Sequence, residues 1–186
     1  MIRSCEPCHD SSGREWLVDG VVAGLGIIPN DMLARSAGLA VDDGIVVNEY
    51  LRTENVDIYA AGDVAAIYRP LFGRRMCIEH EDNANQSGRA AGRNMAGAQE
   101  AFDHQPFFYS DLFDLGYEAV GEMDAGMDKY ADWKELYREG VIYYLQGGRV
   151  RGVVLWNVWG HVDEARRLIG EAGPFEPGAL KGRIAW

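Results

Sequence analysis

The sequence has no stretch near the roughly 18 consecutive apolar residues that a membrane-crossing helix requires. It also lacks an apolar run of signal-peptide type at its start, because Glu6, His9 and Asp10 follow Met1–Cys5 at once. A cytoplasmic setting is therefore the expectation. Cysteine is scarce, with only Cys5, Cys8 and Cys77. An odd count of three argues for reduced thiols and against a disulfide framework. Basic residues are outnumbered, 18 against 29 acidic, for a net charge of -11. The imbalance is 9 against 15 up to residue 100 and 9 against 14 beyond it, so the acidity is not held in a tail. A negative field of that kind repels phosphate backbones, which disfavours general nucleic-acid or anionic-membrane binding. A local nest of backbone N–H groups can still receive a phosphate, so a nucleotide cofactor stays open. With 47% hydrophobic and 25% charged residues over 186 positions, the chain is an ordinary globular sequence of one domain or two small ones, not a disordered one.

Cys5-Glu6-Pro7-Cys8-His9 has both the C-x-x-C spacing of a redox pair and the C-x-x-C-H spacing of haem attachment. A redox pair needs a preceding strand and a helix start to stabilise the thiolate, and four residues cannot supply that strand. Haem attachment belongs to exported chains. His9 and two thiols give zinc three ligands where a structural site needs four. A flexible or locally structured terminus is the plainer expectation.

Along the chain, Leu17 to Leu25 reads as a buried strand, followed by a turn at Pro29-Asn30. Asp31 is placed to cap a short helix, Met32 to Ala37, stopped by Gly38. Ile45-Val46-Val47 is a β-branched strand, and Val56 to Ala60 a second one ending at Ala61-Gly62-Asp63. Glu81 to Gly97 is predicted helical, with Ala84, Ser87 or Gly88, Ala91 and Met95 on one face of small residues. That face suits tight packing on a sheet or close approach of a ligand. Ala98 to Gln105 reads as a linker. Beyond it the sequence turns aromatic and strand-rich: Tyr117–Val120, then Val141–Leu145 and Val150–Trp159 as a hairpin about Gly147-Gly148, then a helix over His161–Ile169.

The most informative run is Asn55-Val56-Asp57-Ile58-Tyr59-Ala60-Ala61-Gly62-Asp63. A strand that delivers Gly-Asp at its carboxyl end places a tight turn, N–H groups and a carboxylate at a ligand crevice. Asp63 could accept a ribityl hydroxyl of a flavin dinucleotide; a surface Gly-Asp turn is the simpler reading of those two residues alone. The run resembles the second FAD-binding motif of the pyridine nucleotide-disulfide oxidoreductase superfamily. Val22–Asn30, Gly38–Val41 and Gly44–Val47 resemble the segments leading to it, in order and spacing. Glu79–Ala84, Ser87–Gly92, Pro106–Asp111, Gly116–Gly121 and Gly152–Asn157 are similar to the apoptosis-inducing-factor and ferredoxin-reductase-like branch. The resemblance spans residues 14–169. No G-x-G-x-x-G is present; Gly24-Leu25-Gly26-Ile27-Ile28-Pro29 carries proline where the third glycine belongs.

The resemblance implies an α/β and α+β chain: a partial FAD/NAD(P)-binding Rossmann-type domain followed by a C-terminal antiparallel-sheet reductase domain. Its expected divisions are 1–29, a remnant of the NAD-binding domain; 30–100, the second FAD segment; and 101–186, the reductase or dimerisation-like domain. It further implies FAD as cofactor and NAD(P)H as electron donor in the complete protein, with no acid or base supplied by this chain. Gly62, Asp63, Glu79, His80, Glu81 and Tyr109 are the expected flavin contacts. Tyr109 stands where the family often has tryptophan, keeping a stacking surface but exchanging N–H for O–H. Edge strands without neighbours imply a homo-oligomer or a partner chain supplying the Rossmann half, besides an electron-acceptor protein. The rival expectation is a non-enzymatic fragment or interaction subunit.

Overall fold

The computed structural model describes residues 8–185. It opens on a small ribbon of β1 (Cys8–His9) and β2 (Glu15–Trp16). The Asp10 carboxylate closes its turn by accepting from the Ser12 and Arg14 backbone N–H groups and from Trp16 Nε1. Cys8 therefore lies in β1, whereas Cys5 lies outside the described residues. The strand expected over Leu17–Leu25 does not form. Residues 17–30 are irregular, and Leu17 and Leu25 are 85% and 92% exposed. An apolar run becomes a buried strand only when another strand pairs with it and a layer covers it. Neither is present among the described residues.

Helix α1 (Met32–Ser36) follows, and Gly38 stops it by donating its N–H to the Arg35 carbonyl. Asp31 does not cap it. Its carboxylate instead takes the Arg35 guanidinium at 2.7 Å, one turn on. Three strands make the first sheet: β3 (Ile45–Val47) parallel to β4 (Ala65–Arg69), and β4 antiparallel to β5 (Arg74–Met76). The expected strand Val56–Ala60 reduces to one bridge, Tyr59 to Arg52, because the loop 48–60 folds back on itself. Its Thr53 N–H donates to Ile58 O and its Ala60 N–H to Leu51 O. Helix α2 (Glu81–Met95) lies against the chain at Gly62–Val64, a single 3-10 turn.

The buried face of α2 is Asn83, Ser87, Ala90, Ala91 and Asn94, rotated from the expected one. Ala84, Gly88 and Met95 are exposed. The apolar part of the face packs on Val47, Leu51, Ala60, Ala65, Ile67 and Phe102. Its polar members are all bonded. Asn83 Nδ2 donates to Ile78 O at 2.8 Å, and Asn94 Nδ2 to Tyr50 O and Glu100 O, both at 2.9 Å.

The C-terminal unit is a five-stranded antiparallel sheet in the order β6 (Phe107–Leu112), β7 (Leu115–Gly121), β10 (Arg149–Trp156), β9 (Glu139–Gln146), β8 (Asp128–Glu135). The expected hairpin is β9–β10, with Leu145 opposite Val150. Gly147 and Gly148 carry φ of 58° and 73°, the left-handed pair that a two-residue turn between twisted strands demands. The second strand stops at Trp156 because Asn157 also turns left-handed and ties its side chain to the Gly116 N–H. One sheet face buries Val120, Tyr143, Val153 and Leu155 under α3 (Val162–Gly170), with Leu180 and Ile184 of the tail completing the core. The fold is thus the expected α/β segment followed by an antiparallel sheet. No helix among the described residues is long and apolar enough to cross a membrane.

Candidate functional site

Gly62 sits at a φ of 71° at the head of the 3-10 turn, a conformation that a side chain would strain. Its buried N–H donates to Ser87 Oγ at 2.8 Å, and that hydroxyl donates in turn to Asn83 O at 2.5 Å. The turn is therefore fixed to the middle of α2. Asp63, the next residue, is exposed. Gly88 and Gly92 on the outer side of the helix have no neighbouring atom within 4 Å of where a Cβ would stand. Beside the Gly-Asp turn, a ligand could approach this backbone closely.

At the start of α2 no side chain caps the first N–H groups. That end carries a partial positive charge. It opens on a cavity of 650 Å³ lined by Glu79, His80, Glu81, Asp82, Asn85, Phe107, Phe108 and Tyr109. Four expected site residues thus converge on one cavity. Gly62 and Asp63 do not line it, although the Asp63 charge reaches far enough to act on His80.

His80 stacks on Phe108, with ring centroids 4.3 Å apart and planes 18° from parallel. Burial pushes its pKa below the usual imidazole range, and the Glu79 backbone, Asp63, Glu79 and Asp82 only partly oppose this. Tyr109 is exposed and its hydroxyl donates to Glu81 Oε2 at 3.4 Å. Phe108 was not among the expected site residues. Alternation along β6 puts it on the face opposite Tyr109, so the period-two pattern gave no signal that both would line one cavity.

Asp82 ties the helix to the second unit. Its Oδ2 lies 2.6 Å from His104 Nε2 and accepts from the Phe107 N–H at 3.2 Å and from Arg166 of α3 at 3.3 Å. On the other side of the seam, Arg151 of β10 donates to Leu71 O at 3.1 Å and shares Glu122 with Arg74.

Residues 3–91 match the family described as pyridine nucleotide-disulphide oxidoreductase, and residues 91–133 and 128–171 match the C-terminal region of apoptosis-inducing factor. Together the two matches cover residues 3–171, and the chain is closely related to the pyridine nucleotide-disulphide oxidoreductase family. Within it, the chain is related to the apoptosis-inducing factors and ferredoxin reductases. It is 37% identical over 174 residues to apoptosis-inducing factor 1, mitochondrial, of Dictyostelium discoideum, covering 86% of this chain and 32% of that protein. It is 34% identical to putidaredoxin reductase CamA of Pseudomonas putida, covering 93% and 40%. The ferredoxin reductase of the CYP199A2 system from Rhodopseudomonas palustris superposes with a TM-score of 0.81 at 28% identity, covering 92% and 43%. The chain therefore spans 32% and 40% of the length of these two curated relatives. The relation to this family implies the use of FAD and NAD(P)H.

Proposed function

We propose that this chain carries the second flavin-contacting segment and the reductase domain of an FAD-dependent oxidoreductase that passes electrons from NAD(P)H to an acceptor protein. The convergence of Glu79, His80, Glu81 and Tyr109 on one cavity at the uncapped start of α2 carries this reading. On it, residues 1–29 belong with the nicotinamide-binding part, 30–100 with the flavin-binding part and 101–186 with the reductase domain. The residues suit a flavin dinucleotide. An open glycine face and an exposed carboxylate lie beside the Gly62 turn, and an aromatic-lined cavity lies at the helix end.

Asp63 would accept a ribityl hydroxyl, while the Gly62 turn holds that carboxylate at the crevice. The N–H groups at the start of α2 would donate to the polar edge of the ring system. His80, kept neutral by burial and stacked on Phe108, would bound the cavity without adding charge. Glu79, Glu81 and Tyr109 would frame its mouth. Bound FAD supplies the hydride-accepting and electron-releasing chemistry, and the chain positions it. The names putidaredoxin reductase and ferredoxin reductase suggest a ferredoxin-type acceptor.

A second reading, in which this chain is one subunit or an interaction fragment, is favoured by the bare apolar side chains between Leu17 and Leu33. A homo-oligomer or a partner chain bearing the Gly-rich nucleotide motifs would cover them. The two readings separate on absorbance in the flavin bands. With FAD alone, the chain should lose the cofactor on gel filtration. Mixed with a polypeptide carrying the Gly-rich half, it should retain FAD and bleach on adding NAD(P)H. A mixture that forms a stable complex yet holds no flavin would sustain only the interaction reading.

A further inference from the structure

We propose that a second cavity, on the flank formed by β3, β4 and the linker before β6, binds a small carboxylate carried on an apolar body. The cavity measures 710 Å³, within the range of roughly 300–1,000 Å³ usual for small-molecule sites. It shares no lining residue with the cavity at the start of α2, so the inference does not rest on the flavin reading. Val47, Tyr68, Leu71 and Phe102 give it apolar walls.

Its charged lining runs against the rest of the molecule. Arg69, Arg75 and Arg166 face it, opposed by Glu49 and Asp103, in a chain whose net charge is -11. Arg166 is already paired with Asp82 and Asp163. The other two arginines have no carboxylate within ion-pair distance among the described residues. Arg69 is only 5% exposed. Its Nη1 donates to His104 O at 2.9 Å and its Nη2 to Asn83 Oδ1 at 3.2 Å, while its buried Nε has no acceptor. Arg75 Nη1 donates to two carbonyls, Val47 O at 2.7 Å and Ala66 O at 3.0 Å.

Arg69, held among neutral acceptors away from water with only Asp103 acting on it from beyond ion-pair distance, is an incompletely compensated charge, and such charges are costly unless paired. Burial lowers the Arg69 pKa to about 10, with Asp103 pulling the other way, so it stays protonated at neutral pH. A monoanion entering the cavity would compensate the field of both arginines and accept from Arg75. Its apolar body would displace water from Leu71 and Phe102. Guanidinium and carboxylate are matched in geometry and make the stronger, charge-assisted kind of hydrogen bond. A dianion such as phosphate has no apolar part to use these walls.

Calorimetric titration of octanoate and of 2-naphthoate into the purified chain tests this, with octanamide and 2-naphthamide as uncharged counterparts and inorganic phosphate as an anion without a body. We expect one-to-one saturation by at least one acid, tenfold or more tighter than its amide, with phosphate silent. Arg75→Gln should weaken the acid about tenfold. Leu71→Trp, which leaves all three arginines in place and fills the cavity, should abolish binding while the circular dichroism spectrum is kept. Acid and amide binding equally, phosphate binding as well as the acids, full binding by a folded Leu71→Trp, or no saturation by either acid would each overturn the proposal. If Arg75→Gln fails to fold, the Leu71→Trp and amide comparisons still decide it.

Discussion

Among the described residues the Ser87 hydroxyl is the one hydrogen-bond acceptor of the buried Gly62 N–H, at 2.8 Å, and it donates in turn to Asn83 O. One oxygen thus joins the Gly62 turn to the helix beside it. Ser87→Ala leaves that N–H buried without a partner, which costs about 1–3 kcal/mol. Urea denaturation of the two proteins measures it. A change under about 0.5 kcal/mol would mean that the turn finds water instead.

On the opposite side of the same helix the effect reverses. Gly88 is helical, exposed and free of neighbours, so Gly88→Ala should stabilise the isolated chain by roughly 0.5–1 kcal/mol through helix propensity. If a cofactor or partner backbone lies along this face, the same change should hinder its capture. A melt and a flavin-retention assay on one variant therefore move in opposite directions.

Asp63→Ala removes an exposed carboxylate and should leave the denaturation midpoint where it was. On the proposed function, its effect should fall on cofactor retention. In the complex with a Gly-rich partner half, loss of one charged hydrogen bond of about 1.5–3 kcal/mol lowers flavin affinity roughly ten- to a hundredfold. Retention equal to the parent, read from the flavin-to-protein absorbance ratio, would take Asp63 out of the site.

His80 makes stability depend on pH. Its folded pKa is depressed by burial, so the unfolded chain binds more protons over the window below the ordinary value of 6.5. The contribution is therefore fully present above that value and is lost as the pH falls through the folded pKa. His80→Gln should flatten the fall in stability between about pH 7 and pH 5. Parallel pH profiles for the two proteins would take His80 out of the acid sensitivity.

Cys77 should be sluggish towards alkylating reagents. Burial, with the nearby Asp43, Glu79, Asp42 and Asp63 charges adding to it, pushes its pKa up to about 11, and its Sγ–H donates to Asp43 O at 2.6 Å. Little thiolate exists at pH 8, so iodoacetamide should label Cys77 far more slowly in the folded chain than in urea. Equal rates by peptide mass mapping would show that the loop opens freely. Stability should fall as the pH rises from about 9 through 11, because only the unfolded chain ionises there.

Much of the fold was legible where a local rule and a tertiary partner agree. Ile45–Val47, the Gly147-Gly148 hairpin, α2 and α3 all follow from periodicity and turn chemistry. Strands β4 and β5 were missed because Ala65-Ala66 and Arg74-Arg75 have little strand character of their own. Their pairing with β3 and with each other decides them. Leu17–Leu25 failed for the converse reason, a strand-like composition with nothing to pair against. At the site, Glu79–Glu81 and Tyr109 came through family resemblance, and the cavity that joins them depends on β6 folding back beside α2. No spacing in the sequence gives that encounter, nor the stack of His80 on Phe108.

Helices usually rest on their neighbours through greasy side chains, which allow scatter of about 15–20° in packing angle. Helix α2 is held at Asn83, Ser87 and Asn94 by bonds of 2.7 to 3.2 Å to groups outside it, spread over three turns. Such contacts are directional, so the helix cannot roll about its own axis without breaking several at once. Its azimuth is keyed, like a shaft in a slotted bore. Gly88 and Gly92 therefore keep one fixed heading relative to the Gly62 turn, whatever comes to lie against them.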